Sequence, residues 1–364
     1  MSPRLHFPQF PMSQFTFDCL TSRRLTSTER DLVVSGRVSP RLDSADGLIT
    51  ETAGSPSAWV DAWNSTTAPL VAIVGDSDVE FAEIARIIHA GISRLEESPS
   101  LAASLPSVRE ADLPDVWRDL TPQITPLCAP PDWRLGGVFR RASIEMAGGL
   151  RSVSDPFWDA TLRILESDEG TDSRVTQVPT DAPIRQSNPP LVPSGISAND
   201  DWLKRHLLTL VPKFARRILS DPCDSAALQA GIWQFQGELD LSHKQSQAHE
   251  GEGESQLCDY WHAIMHRREP DYGNSKYWFR QVGRQPVFDE LAPVVAKFLG
   301  TAEGAPISQW SSRLLPPRGW DPFAFVDLAE AAVGHPAIDA AARQIQWAEM
   351  LLLLRFTARP ATRS

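Results

Sequence analysis

Apolar positions recur at helical spacing through most of the second half of the chain, and only in patches through the first. From residue 201 the pattern predicts helices over Asp201–Leu219, Ser225–Ala248, Glu254–Arg268, Asn274–Val282, Val287–Leu299, Pro322–Val333 and Ala337–Phe356. Breaks fall at Asp221-Pro222, Gly251 to Gly253, Pro270 to Gly273, Gly283 and Gly334 to Pro336, all residues that stop helices. The connections are short, so neighbouring helices are expected to pack antiparallel. Before residue 201, Pro69–Gly75 (PLVAIVG) reads as a buried strand. Asp76-Ser77-Asp78 is placed to cap a helix over Val79–Leu95, in which Phe81, Ile84, Ile87 and Ile88 share a face. Gly75 alone is too little glycine for a phosphate loop.

The expected fold class is mainly α: a C-terminal antiparallel, bundle-like helical domain, with a small α/β or irregular N-terminal region. Residues 1–55 are rich in Ser, Thr, Pro and Arg and are expected to form a loosely ordered or disordered leader, with at most a strand near Leu32–Val38. Residues 56–166 are expected to form a small mixed α/β region. Residues 167–200 lose apolar periodicity and carry five prolines, which suggests a flexible linker. Residues 201–364 form the helical domain.

Composition narrows the function. A net charge of −11 gives no basic surface for nucleic acid or for anionic membranes. No apolar run reaches the roughly 18 residues of a membrane span. Cys19, Cys128, Cys223 and Cys258 are scattered without a CxxC pair, so free thiols in a reducing, cytoplasmic setting are expected.

Chemistry concentrates between Asp259 and Val282 (DYWHAIMHRREPDYGNSKYWFRQV), a stretch that holds all three tyrosines, Tyr260, Tyr272 and Tyr277, within 18 residues. On the helix over Glu254–Arg268, the residues Asp259, His262, His266 and Glu269 are spaced to share a face. On the preceding helix Gln236, Asp240, His243 and Gln247 do the same. If the two stripes meet, three imidazoles converge. Two histidines at i and i+4 can clamp one ion, and His243 would add a third ligand. Neutral imidazole with carboxylate suits one divalent ion, Zn, Mn, Fe or Ni. Asp240 or Glu269 would then handle protons or orient a ligand, which describes a hydrolase-like site for a small polar molecule. The zinc-protease motif is not present, because Ala263 follows His262. A polar stripe also arises simply where a helix face meets water.

The turn Arg267-Arg268-Glu269-Pro270-Asp271-Tyr272-Gly273-Asn274 reads as a helix end, with Asn274 as the next N-cap. Arg267, Arg268, Asp271, Tyr272 and Lys276 are candidate ligand-binding residues there, with Gln236 and Gln247 beside the imidazoles. Tyr277, Trp278 and Phe279 are expected in the core.

YWHAIMHRREPDYGNSKYWFRQVG, together with ELDLSHKQSQ upstream and GWDPFAFVDL downstream, resembles the signature of a family of uncharacterised bacterial and fungal proteins. The resemblance covers residues 200–356 and implies an all-helical domain without assigning an activity. The same stretch also resembles one tetratricopeptide hairpin. That implies an alternative, a non-catalytic module that binds a protein partner through Tyr272, Tyr277 and Arg267-Arg268, although such solenoids need about three repeats.

Overall fold

A computed structural model describes residues 17–21, 26–29, 49–51, 55–75, 77, 79–107, 120, 123–130, 133–167, 174–179, 189–253, 256–302 and 306–359. The fold is mainly α with a small mixed sheet, and the chain divides into two compact units. One comprises residues 1–109 and 130–183; the other comprises residues 110–129 and 184–364.

The first unit carries a six-stranded sheet. Its strands are β1 (Phe17–Thr21), β2 (Ile49–Glu51), β3 (Leu70–Val74), β4 (Ala103–Ser107), β5 (Leu135–Arg140) and β6 (Val175–Pro179), in the spatial order β2-β1-β3-β5-β4-β6. β1 runs parallel to β2 and β3, β4 runs parallel to β6, and β5 runs antiparallel to both β3 and β4. β3 is the strand expected from PLVAIVG. All five of its residues are buried, as an unbroken apolar run requires. The helices are α1 (Pro56–Ser65), α2 (Phe81–Glu97), α3 (Arg141–Met146) and α4 (Pro156–Glu166). α2 begins two residues later than the periodicity suggested and buries Phe81, Ile84, Ile87, Ile88, Ile92 and Leu95. Of its proposed cap, Asp76 and Asp78 lie outside the described residues, while Ser77 Oγ accepts from Val79 N at 3.0 Å.

Two expectations need correction. The segment expected as a loose leader supplies β1 and β2. β1 is buried throughout, and its acid is accommodated because Asp18 Oδ2 accepts from Thr67 N and Ala68 N at 2.8 and 2.9 Å. The strand expected near Leu32–Val38 lies outside the described residues. The segment expected as a linker supplies β6, whose Val175 and Val178 are buried against the sheet. Its end is also held: Ile196 N donates to Glu238 Oε1 at 2.9 Å.

The second unit contains α5 (Asp201–Ile218), α6 (Pro222–Phe235), α7 (Leu239–Gln247), α8 (Leu257–Arg268), α9 (Tyr272–Val282), α10 (Pro286–Thr301), α11 (Pro322–Ala332) and α12 (Pro336–Thr357). α8 is the central helix, buried from Cys258 to Arg268 and packed on α6, α7 and α9. Trp261 Nε1 and Tyr260 Oη reach α12, donating to Thr357 Oγ1 at 3.1 Å and Glu349 Oε1 at 3.0 Å. Contact with α6 depends on Gly231: a Cβ there would stand 2.7 Å from the Trp261 ring. Asp221, Asp271 and Asp321 cap α6, α9 and α11 with side-chain hydrogen bonds.

The helix expected over Ser225–Ala248 is two helices. Gly237 adopts a φ of 73°, which ends α6 and turns the chain into α7. Gln236 is therefore the C-cap of α6, and its Nε2 donates to Leu127 O at 2.7 Å instead of continuing a stripe to His243. The N-cap of α9 is Asp271, which accepts from Asn274 N at 3.1 Å, and not Asn274. No helix among the described residues is long and apolar enough to cross a membrane. All four cysteines are free thiols.

Candidate metal centre

α7 and α8 bring His243, His262 and His266 together. Each offers a ring nitrogen, and these nitrogens lie within 4.8 Å of one another. The ring centroids are 4.8 Å apart for His243–His262, 5.3 Å for His243–His266 and 4.7 Å for His262–His266. The last pair stacks with 21° between ring planes, as one turn of helix dictates. His262 and His266 are 1% and 4% exposed, and His243 is half-buried.

The two buried rings differ. His266 Nδ1 lies 2.5 Å from Glu269 Oε1, three residues along the chain. A carboxylate there fixes the tautomer with the proton on Nδ1 and makes Nε2 the acceptor atom, whose lone pair a metal ion would have to take over from its present donor. Asn274 Nδ2 faces that Nε2 at 3.0 Å. Among the described residues His262 has no hydrogen-bond partner on either nitrogen. Trp278 stacks on its face at 4.1 Å with 23° between planes. Burial, followed by the neighbouring His266 and His243, lowers its pKa to about 3. His262 is therefore a neutral imidazole, the form that coordinates metal.

Bonds of about 2 Å with tetrahedral angles would place three ligand nitrogens about 3.4 Å apart. The separations here exceed that by at most about 1.4 Å, and the three side chains can rotate. The arrangement could hold a metal ion. Two further groups could do so: His266 with Glu269 and Asp271, and Cys223 with His249 and Glu252.

The remaining candidate residues are placed differently. Asp240 is exposed and is not among the groups gathered at the imidazoles, and Gln247 is exposed at the end of α7. Asp259 turns towards the α7–α8 connection, where its Oδ1 accepts from Gly251 N at 3.0 Å. Arg267 and Arg268 form no anion-binding corner. Arg267 Nη2 pairs with Glu349 Oε2 at 2.5 Å, with both side chains fully buried. Arg268 Nη1 donates to the backbone and the side-chain oxygen of Gln234, and burial lowers its pKa to about 9. Lys276 pairs with Asp327. Tyr272 is half-buried, and Tyr277 is 50% exposed instead of buried in the core. Phe279 is buried as expected.

Sequence reasoning missed Trp278 and Asn274 as neighbours of the imidazoles. Their spacing of four on α9 was a usable signal, since it places both on the side of that helix towards α8. It also missed Cys223, His249 and Glu252, which come from the start of α6 and the turn after α7 and share no periodicity.

No protein-family model matches the chain, and no curated protein matches it. Among solved structures the chain is similar to the mannosyltransferase PcManGT from Pyrobaculum calidifontis, determined with GDP-Man and Mn2+. The two are 15% identical, with a TM-score of 0.32 over 78% of this chain and 69% of that one. A likeness of that degree carries no argument about fold or chemistry.

Proposed function

We propose that the helical unit binds one divalent ion of the Zn, Mn, Fe or Ni class through His243, His262 and His266, forming a hydrolase-like site for a small polar molecule. The observation that carries this reading is His262: a buried ring with both nitrogens unpartnered, facing two other imidazoles. Buried polar groups are nearly always satisfied, and an ion would engage one of the two ring nitrogens. An ion held by the three imidazoles would supply Lewis-acid chemistry, raising the acidity of a bound water. Glu269 acts as the positioning residue, since its carboxylate is engaged with His266 Nδ1. Asn274 stands next to His266 Nε2, where its amide can hydrogen-bond the bound water. Short connections, Gln236–Glu238 between α6 and α7 and Glu269–Asp271 between α8 and α9, favour an antiparallel, bundle-like support for the site. The alternative of an interaction module loses its main surface feature, because Arg267 and Arg268 are buried.

Elemental analysis of protein purified without added metal tests the proposal. About one equivalent is expected in the wild type, and that equivalent is lost in a folded His262→Ala/His266→Ala variant. Retention of the ion in that variant, or no binding by the wild type after metal is supplied, overturns it.

A further inference from the structure

The α7–α8 connection contains a second set of donors that the imidazole site does not use. Cys223 opens α6, while His249 and Glu252 lie in the turn after α7. Cys223 Sγ lies 3.7 Å from His249 Nδ1 and 3.6 Å from Glu252 Oε2, and the last two atoms are 2.8 Å apart. We propose that Cys223, His249 and Glu252 form a separate zinc(II) site that clips the start of α6 to the α7–α8 connection.

The distances support this. Zinc bonds of about 2.3 Å to sulfur and about 2.0–2.1 Å to nitrogen and oxygen, at tetrahedral angles, require roughly 3.5 Å from sulfur to each partner and roughly 3.3 Å between nitrogen and oxygen. The two sulfur distances already agree to about 0.2 Å, and the His249–Glu252 contact needs to open by about 0.5 Å. Thiolate, imidazole and carboxylate together are a donor set suited to zinc; the neighbouring Asp221 and Asp224 add negative charge that favours a cation, while with burial they also hold the proton on the thiol that zinc would displace. The described part of the connection lies close to the start of α6 and to α8. Gly251 N donates to Asp259 Oδ1 at 3.0 Å, and a Cβ on Gly253 would stand 3.4 Å from Cys223 Cβ. Buried Cys258 donates to Cys223 O at 3.5 Å and is not one of the three ligands. The clip would fix the connection that sets His243 on α7 against His262 and His266 on α8, and it stands independently of the imidazole site.

Cobalt(II) distinguishes the two sites. Cobalt bound to a thiolate gives an intense sulfur-to-metal charge-transfer absorption in the near ultraviolet, which imidazole and carboxylate ligands do not give. The Co(II)-loaded full chain is expected to show that band, with one cobalt equivalent beyond the imidazole site. Cys223→Ser should abolish the band and remove one equivalent, whereas His262→Ala/His266→Ala should keep the band. His249→Ala and Glu252→Gln, at solvent-accessible positions that tolerate change, should each weaken zinc binding at least tenfold, as loss of a ligand should exceed the 10–100-fold effect of losing an outer-shell partner. Absence of the band in the wild type, its survival in Cys223→Ser, or its loss in Cys258→Ser alone would overturn the proposal. If the band survives while the imidazole double variant binds as much metal as the wild type, the imidazole reading fails and this one stands.

Discussion

The Arg267–Glu349 pair offers the sharpest energetic test, because it joins α8 to α12 across 82 residues with neither side chain exposed. Replacing Arg267 by Met keeps most of the volume and leaves Glu349, among the described residues, with the Tyr260 hydroxyl at 3.0 Å. A buried charge stripped of its partner costs about 3–5 kcal/mol. A helical unit of this size loses roughly 2–4 °C of Tm per kcal/mol, so a fall of about 6–20 °C is expected. Glu349→Gln should cost about as much, since Arg267 Nε and Nη1 already lack partners and Phe325, 4.3 Å from the guanidinium, cannot neutralise it. The double variant Arg267→Met/Glu349→Leu removes both charges and should recover most of the loss, leaving about 1 kcal/mol for the stranded Tyr260 hydroxyl. Urea unfolding followed by far-ultraviolet circular dichroism gives the three free energies, and the double-mutant cycle gives the coupling. Single variants within about 1 kcal/mol of wild type, or effects that simply add, would refute the reasoning.

Two further outcomes follow from the same geometry. Glu269→Ala should weaken divalent-metal binding about 10–100-fold in a competition with a chromophoric chelator, while Glu269→Gln, which still accepts from His266 Nδ1, should keep most of the affinity; equal affinities for wild type and Glu269→Ala would sink the positioning role. Asp259 has its pKa raised, chiefly by burial and also by the Glu250 charge, against the lowering effect of the Gly251 N–H. Its folded pKa therefore exceeds the unfolded one, so its contribution to stability is present below the unfolded value of about 3.9 and is lost as pH rises through the folded value. Asp259→Asn lacks this loss, and its stability relative to wild type should improve between pH 4 and pH 7; a constant difference in urea midpoints across that range would contradict the assignment.

The imidazole cluster was legible because each step was local. His262 and His266 are one helical turn apart, and a short connection returns α7 beside α8, so His243 had few other places to go. The break at Gly237 was not legible, since Trp233, Leu239 and Leu241 carry apolar character across it and the decisive left-handed backbone leaves only a lone glycine as its sign. Arg267 and Arg268 read as surface charge because nothing near them in sequence can satisfy a buried guanidinium. Their partners, Glu349 and Gln234, lie 82 and 34 residues away. β1 and β6 were invisible for a related reason. FDCLT and VTQVP become strands through pairing with β3 and β4, and neither segment alternates clearly enough to announce it.

The end of α6 and the body of α8 hold one another by reciprocal bonds. Gln234 Nε2 donates to Trp261 O at 3.1 Å, and Arg268 Nη1 donates to Gln234 Oε1 at 2.9 Å. Those anchors bracket His262 and His266 along the helix. α8 can neither spin about its axis nor shift by one residue without severing both, so the stacked histidine pair is a stationary wall. His243 sits half-exposed on the nine-residue α7, which makes it the gatepost past which an ion would exchange with solvent.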